Sequence, residues 1–159
     1  MDQRTLLRRY LNYTDAQIAA FKTDWMAKVE EPERLAEDRP FAGVSPLLAE
    51  LSQRYPLVLV TARQHPERVE AQLAAFGWRS YFSQVLVTGQ KQSKDALIRT
   101  HYTPTPADLL IGDTGEDIET GKALGVTTVA VASGVPSADI LREYQPDHLL
   151  DSVVAVKDL

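Results

Sequence analysis

Hydrophobic positions follow two regimes along the chain, and the change between them falls near residue 40. From Thr5 to Val29, Leu6, Leu7, Tyr10 and Leu11, then Ile18, Phe21, Trp25 and Val29, recur at helical spacing, which predicts two amphipathic helices. Between them Asn12 to Asp15 carries turn and N-cap chemistry, because Thr14 or Asp15 can accept hydrogen bonds from the free amides opening the second helix. Glu31 to Pro40 is charged and holds two prolines, so it reads as a linker.

Beyond that stretch, short apolar runs alternate with helical patterns. The runs are Leu57 to Val60, Val85 to Thr88, Leu109 to Ile111, Thr127 to Ala132 and His148 to Leu150. Most lack polar alternation, as strands buried on both faces of a parallel sheet do. Helices are predicted at Pro46 to Arg54, Pro66 to Phe76, Lys94 to His101, Glu116 to Leu124 and Ser137 to Tyr144. Gly77 and Gly125 follow two of them at the stop position, where a left-handed residue is needed. The alternation predicts an α/β fold: a doubly wound parallel sheet with helices on both faces over residues 41–159, preceded by a helical segment and linker at 1–40.

Composition narrows the class of partner and chemistry. With 22 acidic against 17 basic residues the formal net charge is -5, which argues against nucleic acid as the main partner. The absence of cysteine removes disulfides, zinc-thiolate sites and thiol catalysis. No uninterrupted apolar run approaches the roughly 20 residues of a membrane-spanning helix, and the polar N-terminus has no signal core. A soluble cytoplasmic protein without a membrane partner is expected.

In a doubly wound sheet, ligands bind beyond the carboxyl ends of the strands. One run ends in Thr61, and another in Gly112-Asp113 with Asp117 four residues on, in the first turn of the next helix. Gly112 lets the backbone pass close to a ligand, while Asp113 and Asp117 can face one oxygen-rich site. Two carboxylates and a strand-end hydroxyl suit a hard divalent cation, Mg²⁺ foremost, carrying a phosphate. Lys94, opening a helix after Ser93, is the lysine best placed to balance that charge, with Lys91 in reserve. Ordinary roles compete at each position. Acidic residues favour helix N-termini, Thr61 can cap a strand end, Arg63 and His65 can be loop surface, and Gly134 with Ser133 and Ser137 can edge a pocket or only make a turn and N-cap. His101 is read as an exposed helix end, and Trp25 and Trp78 as packing residues.

Thr61 closing an apolar strand, a lysine opening a later helix and an apolar strand running into GDTGED resemble the second, third and fourth signature motifs of the haloacid dehalogenase superfamily. Phe41 to Arg63 is also similar to the segment that joins a helical cap to the second core strand, and the resemblance covers nearly all of residues 41–159. It implies a Mg²⁺-dependent phosphohydrolase acting on a small phosphorylated metabolite, phosphoglycolate-like. On that resemblance Asp113 binds the metal, and Asp117 binds it directly, binds it through water, or holds the lysine. Thr61 donates to a phosphoryl oxygen, Lys94 neutralises developing charge, and Ala62, Arg63 and Gly112 line the substrate. The helices at 5–29 are similar to part of the family's cap.

The family's chemistry opens with an Asp-x-Asp motif, whose first aspartate attacks phosphorus and whose second serves as acid and base. No Asp-x-Asp occurs in this sequence. Asp2 follows no strand, Asp15 and Asp24 lie in helical patterns, and Asp38 lies in the linker. The expectation is therefore a phosphohydrolase core lacking its first strand, truncated at the N-terminus and inactive as this chain. The alternative is a non-catalytic domain with residual Mg²⁺ or phosphate binding, or an interaction role. An unrelated receiver-like or dinucleotide-binding domain is the third class, disfavoured by the lack of a Gly-rich phosphate loop. In the family that first strand lies between those ending at Thr61 and Asp113. These two are therefore expected to close to about 4.8 Å or to leave the chain marginally stable, with exposed edges favouring self-association.

Overall fold

The structure, a computed structural model, describes residues 7, 8 and 10–159. The chain divides into two compact units, Met1–Arg39 and Pro40–Leu159. In the first unit, Thr14 opens helix α1 (Asp15–Lys28) through a reciprocal capping box with Gln17, the Gln17 amide donating to Thr14 Oγ1 at 3.3 Å and the Thr14 amide to Gln17 Oε1 at 2.9 Å. Asp15 pairs with Arg8 instead. Along α1, Tyr13 meets Phe21 edge-on and Phe21 stacks on Trp25, with centroids 6.5 and 6.1 Å apart. The backbone is helical at 7–8 and 10–11; the rest of the first expected helix, Thr5, Leu6 and Arg9, lies outside the described residues. The charged stretch expected as linker contains a one-turn helix, α2 (Pro32–Leu35), because a proline at the first helical position gives up only an amide that had no partner anyway.

The second unit alternates strands and helices: α3 (Val44–Arg54), β1 (Leu57–Thr61), α4 (Pro66–Ala75), β2 (Phe82–Val87), α5 (Lys94–His101), β3 (Leu109–Gly112), α6 (Gly115–Leu124), β4 (Thr127–Val131), α7 (Ala138–Glu143) and β5 (His148–Leu150). All strand pairs are parallel. The expected left-handed stops are present at Gly77 and Gly125, at φ of 71° and 73°. β2 begins three residues before the expected apolar run. Its polar start is accommodated by an irregularity beside Leu57, where the register skips Ser83 and the Ser83 hydroxyl donates to the Leu57 carbonyl at 2.9 Å.

Two features depart from the expected single sheet. The strands form separate ladders, β1-β2 and β3-β4-β5, and no backbone hydrogen bond among the described residues joins β1 to β3. Closure of that gap, one of the two expected outcomes, does not occur. Packing explains why: Val58 and Val60 from β1 and Leu110 from β3 lie against one core of Leu86, Leu97, Ile98, Leu124 and Val126. Drawing the ladders to strand spacing would displace side chains from a filled core, which costs about 1 to 3 kcal/mol per overpacked site. The second departure is that β3 is not buried on both faces. Leu110 meets the core, whereas Leu109 and Ile111 on the opposite face are 47% and 38% exposed. Beside it β4 is the buried centre of the larger ladder, with Thr128 and Ala130 at 0% and Val129 at 1% exposure. Ile118, Ala130 and Leu141 form the second core.

Candidate functional site

Parallel pairing places the carboxyl ends of β1 and β2 on one side of their ladder and those of β3, β4 and β5 on one side of theirs, and most of the sequence-selected residues follow these ends. Thr61 ends β1 and accepts the Thr88 amide on its carbonyl at 3.0 Å. Gly89 and Gln90 both turn through the left-handed region, at φ of 60° and 58°. The turn returns the Gly89 amide to the Arg63 carbonyl at 3.1 Å and the Gln90 side chain to the Ala62 carbonyl. The loop Thr61-Ala62-Arg63 is thereby held by its backbone, while the Thr61 hydroxyl makes no hydrogen bond among the described residues. Lys91 stays in this turn, its amide donating to the Thr88 carbonyl at 3.1 Å.

Lys94 is the first residue of α5, and its ammonium reaches across to Asp117 Oδ1 at 2.6 Å, in an ion pair whose side chains are only 12% and 13% exposed. The other Asp117 oxygen, Oδ2, accepts the Thr114 hydroxyl at 2.6 Å and the Thr114 amide at 3.2 Å. Thr114 returns the bond, taking the Asp117 amide on its hydroxyl at 3.3 Å and completing a capping box on α6. Gly112 makes room for this knot: a Cβ there would fall 2.5 Å from Asp117 Oδ2. Asp117, expected to bind the metal directly or through water or to hold the lysine, accepts hydrogen bonds on both oxygens, one of them from the Lys94 ammonium.

Asp113 differs. It follows β3, is half-buried, and its carboxylate makes no hydrogen bond or ion pair among the described residues. Its side chain rests against the turn after β4 at Gly134. Among the described residues no group of three or more His, Asp or Glu side chains is placed to hold a metal on its own. Of the residues selected from sequence, Lys94, Asp117 and Gly112 are brought into direct contact, and Thr61, Ala62 and Arg63 lie together at the end of β1. Ser137 is the N-cap of α7, accepting the Ile140 amide at 3.4 Å. Trp78 is a packing residue, its indole against Phe76 at 5.1 Å and donating to Ser45 Oγ at 2.9 Å. Sequence reasoning missed Thr114, although its signal, a threonine three residues before an acid at a helix start, stands in the motif itself.

Displaced titration occurs mainly at the opposite end of the ladder. The Thr128 amide and hydroxyl, each 2.7 Å from Asp147 Oδ2, hold that carboxyl below its ordinary range. Burial pushes Asp108 up, but hydrogen bonds from the Thr105 amide, the Tyr102 hydroxyl and the Thr105 hydroxyl together outweigh it, and its carboxyl also lies low. The hydrogen bond to Asp108 in turn raises Tyr102. Nearer the site, a hydrogen bond from Ser93 lowers Asp95.

A parallel α/β core with an acid after its third strand and a lysine held by a second acid defines the class, and family comparison gives the same answer. The model of the haloacid dehalogenase-like hydrolase family matches residues 2–131, and the chain belongs to that family. It is similar to a phosphoglycolate phosphatase of Synechococcus elongatus, 28% identical over 116 residues, which cover 70% of this chain and 55% of that one. The chain therefore spans about half the length of the curated relative it matches. Among solved structures it resembles a haloacid dehalogenase-like family hydrolase from Streptococcus pneumoniae, with TM-score 0.73, 22% identity, and coverage of 92% of this chain and 71% of that one. It also resembles a subfamily IA hydrolase of the same superfamily from Geobacter sulfurreducens, with TM-score 0.61, 19% identity, and coverage of 99% and 72%. Among the described residues no helix is long and apolar enough to cross a membrane.

Proposed function

We propose that this chain carries the metal- and phosphate-holding part of a phosphomonoester hydrolase site for a small, phosphoglycolate-like substrate, and that by itself it binds without turning over. One observation carries the reading: the Asp113 carboxylate stands at a strand's carboxyl end without a partner among the described residues, four positions before the Asp117 that holds Lys94. A single free carboxylate fits Mg²⁺, which takes one or two protein carboxylates and fills its remaining positions with water and phosphate oxygens. When bound, the metal supplies positive charge to the phosphoryl oxygens. Asp113 holds it, the Lys94 ammonium adds charge from the helix start, and the free Thr61 hydroxyl donates to a phosphoryl oxygen. Asp117 keeps the lysine extended towards the strand ends. The covalent step needs an attacking carboxylate, and the sequence holds no Asp-x-Asp to provide one.

Thermal unfolding with and without Mg²⁺ and inorganic phosphate, alongside p-nitrophenyl phosphate turnover, tests both parts. The two ligands together are expected to raise the melting temperature. Stabilisation reaches about 2.7 kcal/mol when a ligand is present at one hundred times its Kd, and it should vanish in Asp113→Asn. Turnover is expected at background. No ligand effect on stability would overturn the binding reading, and turnover abolished by Asp113→Asn would overturn the inactive one. Phosphoglycolate in place of phosphate, giving no larger shift, would remove the substrate assignment.

A further inference from the structure

Asp117 is oriented by three hydrogen-bonding partners, but Asp113, the residue assigned to the metal, has none among the described residues to fix its rotamer. A ligand carboxylate left to rotate would lose affinity to the entropy of being ordered on binding. Its restraint is steric instead. β3 and β4 run in register with Gly112 opposite Ala130, so the segments leaving both strands travel side by side and bring the turn at 132–137 against residue 113. There the Asp113 side chain packs on the bare α-carbon of Gly134. A Cβ at Gly134 would lie 2.7 Å from both Cβ and Cγ of Asp113 and closer still to Oδ2.

The turn has little freedom to retreat. On one side the Ala132 amide donates to the Leu150 carbonyl at 2.8 Å, and on the other Ser137 caps α7. Gly134 itself does not occupy the left-handed region, where Gly43, Gly77, Gly89 and Gly125 lie. Its backbone is open to any residue, so the demand for glycine comes from space, and the group that needs the space is Asp113.

We infer that Gly134 is a positioning residue: it seats the Asp113 carboxylate in the one orientation that meets the metal, so metal affinity depends on the absence of a side chain at 134. This rests on the assignment of Asp113 to the metal. Replacing a group that orients a metal ligand costs about 10- to 100-fold in affinity.

Mn²⁺ binding to the full chain, followed by titration calorimetry and by the loss of the free-ion paramagnetic resonance signal, is the primary test. Gly134→Ala is expected to weaken binding about tenfold or more and Asp113→Asn to abolish it. Melting of the metal-free proteins supplies a readout independent of the ion. Gly134→Ala should lower the melting temperature in the parent but not in an Asp113→Gly background, where the opposing atoms are gone. Wild-type affinity in Gly134→Ala, with binding lost in Asp113→Asn, would overturn the role of Gly134 and leave the metal site standing. Undiminished binding in Asp113→Asn would instead overturn the metal assignment and the inference with it. Should Gly134→Ala not fold, recovery of folding in Asp113→Gly/Gly134→Ala supports the steric coupling, and failure to recover overturns it.

Discussion

The two ends of the β3-β4-β5 ladder use the same residue type in opposite ways. At the amino end, Asp108 and Asp147 are each held by threonines, the first on both oxygens by Thr105 with help from Tyr102 and the second on one oxygen by Thr128. At the carboxyl end Asp117 is also held on both oxygens, but Asp113, four residues before it, accepts nothing among the described residues. Asp108 and Asp117, half-buried with donors on both oxygens, are explained by folding alone, because leaving such a group without donors is expensive; Asp147 is exposed and clasps Thr128 from the surface. An acid at a strand's carboxyl end with no donor is not explained in that way. Accounting for partners, rather than the presence of aspartate, separates Asp108, Asp117 and Asp147 from Asp113, which has none among the described residues.

The widest test of that separation sets Asp117 against Asp113. Asp117→Ala strands the Lys94 ammonium at 12% exposure and removes half of the α6 capping box. Losing one partner of a buried pair costs about 3 to 5 kcal/mol. Asp113→Ala in metal-free protein is expected to cost no more than about 0.5 kcal/mol, the ordinary range for a site that makes no specific interaction. Urea midpoints at unchanged m-value measure both. Equal losses at the two positions would mean that Asp113 has a structural partner after all.

Much of this architecture is legible from residue order, because local patterns determine it. Helix Lys94–His101 and strand His148–Leu150 run over the residues that their spacing predicts, and the stops at Gly77 and Gly125 follow from the backbone they require. What escapes the sequence is long-range. The polar start of β2, Ser83 and Gln84, is tolerated through a register irregularity against Leu57. The exposed face of β3 and the separation of the two ladders follow from which helices share a core, and no single segment carries that information. In the site, the sequence left the role of Asp117 open between the metal and the lysine. Lys94 and Asp117 are 23 positions apart in sequence, and their 2.6 Å contact emerges only from the fold. Gly134 reads as a pocket-edge or turn residue, and its neighbour Asp113 is found only in the fold.

A smaller effect is expected at the amino end. Thr128 is fully buried, and its hydroxyl both donates to Asp147 Oδ2 at 2.7 Å and accepts the Asp147 amide at 2.9 Å. Thr128→Val keeps the shape and removes both bonds, and the predicted loss is about 0.5 to 1.5 kcal/mol, the net worth of a hydrogen bond, because the exposed Asp147 can turn to water. Mg²⁺ and phosphate should stabilise this variant as much as the parent, since nothing at the carboxyl end has changed. A weakened ligand response would show that the two ends are coupled and that the separation drawn between them is too sharp.

The smallest expected effect is one of slope with pH. Asp108 and Asp147 both titrate below their ordinary values in the folded chain, against about 3.9 when unfolded. A depressed folded-state value contributes stability that is complete above the unfolded value and is lost as pH falls through the folded one, because the unfolded chain takes up its proton first. Stability should therefore stay level, as far as these two groups are concerned, from pH 7 to about 5 and decline below about 4. In Asp108→Asn/Asp147→Asn the amide oxygens still accept the threonine donors but take up no proton. The double variant should start from a lower plateau, since neutral acceptors make weaker hydrogen bonds than carboxylates, and then fall less steeply below pH 4. Guanidinium unfolding across that range reads plateau and slope separately. An acid limb as steep in the variant as in the parent would show that other carboxylates carry the acid sensitivity, and that the threonine clasps at the amino end stabilise the fold through their geometry alone.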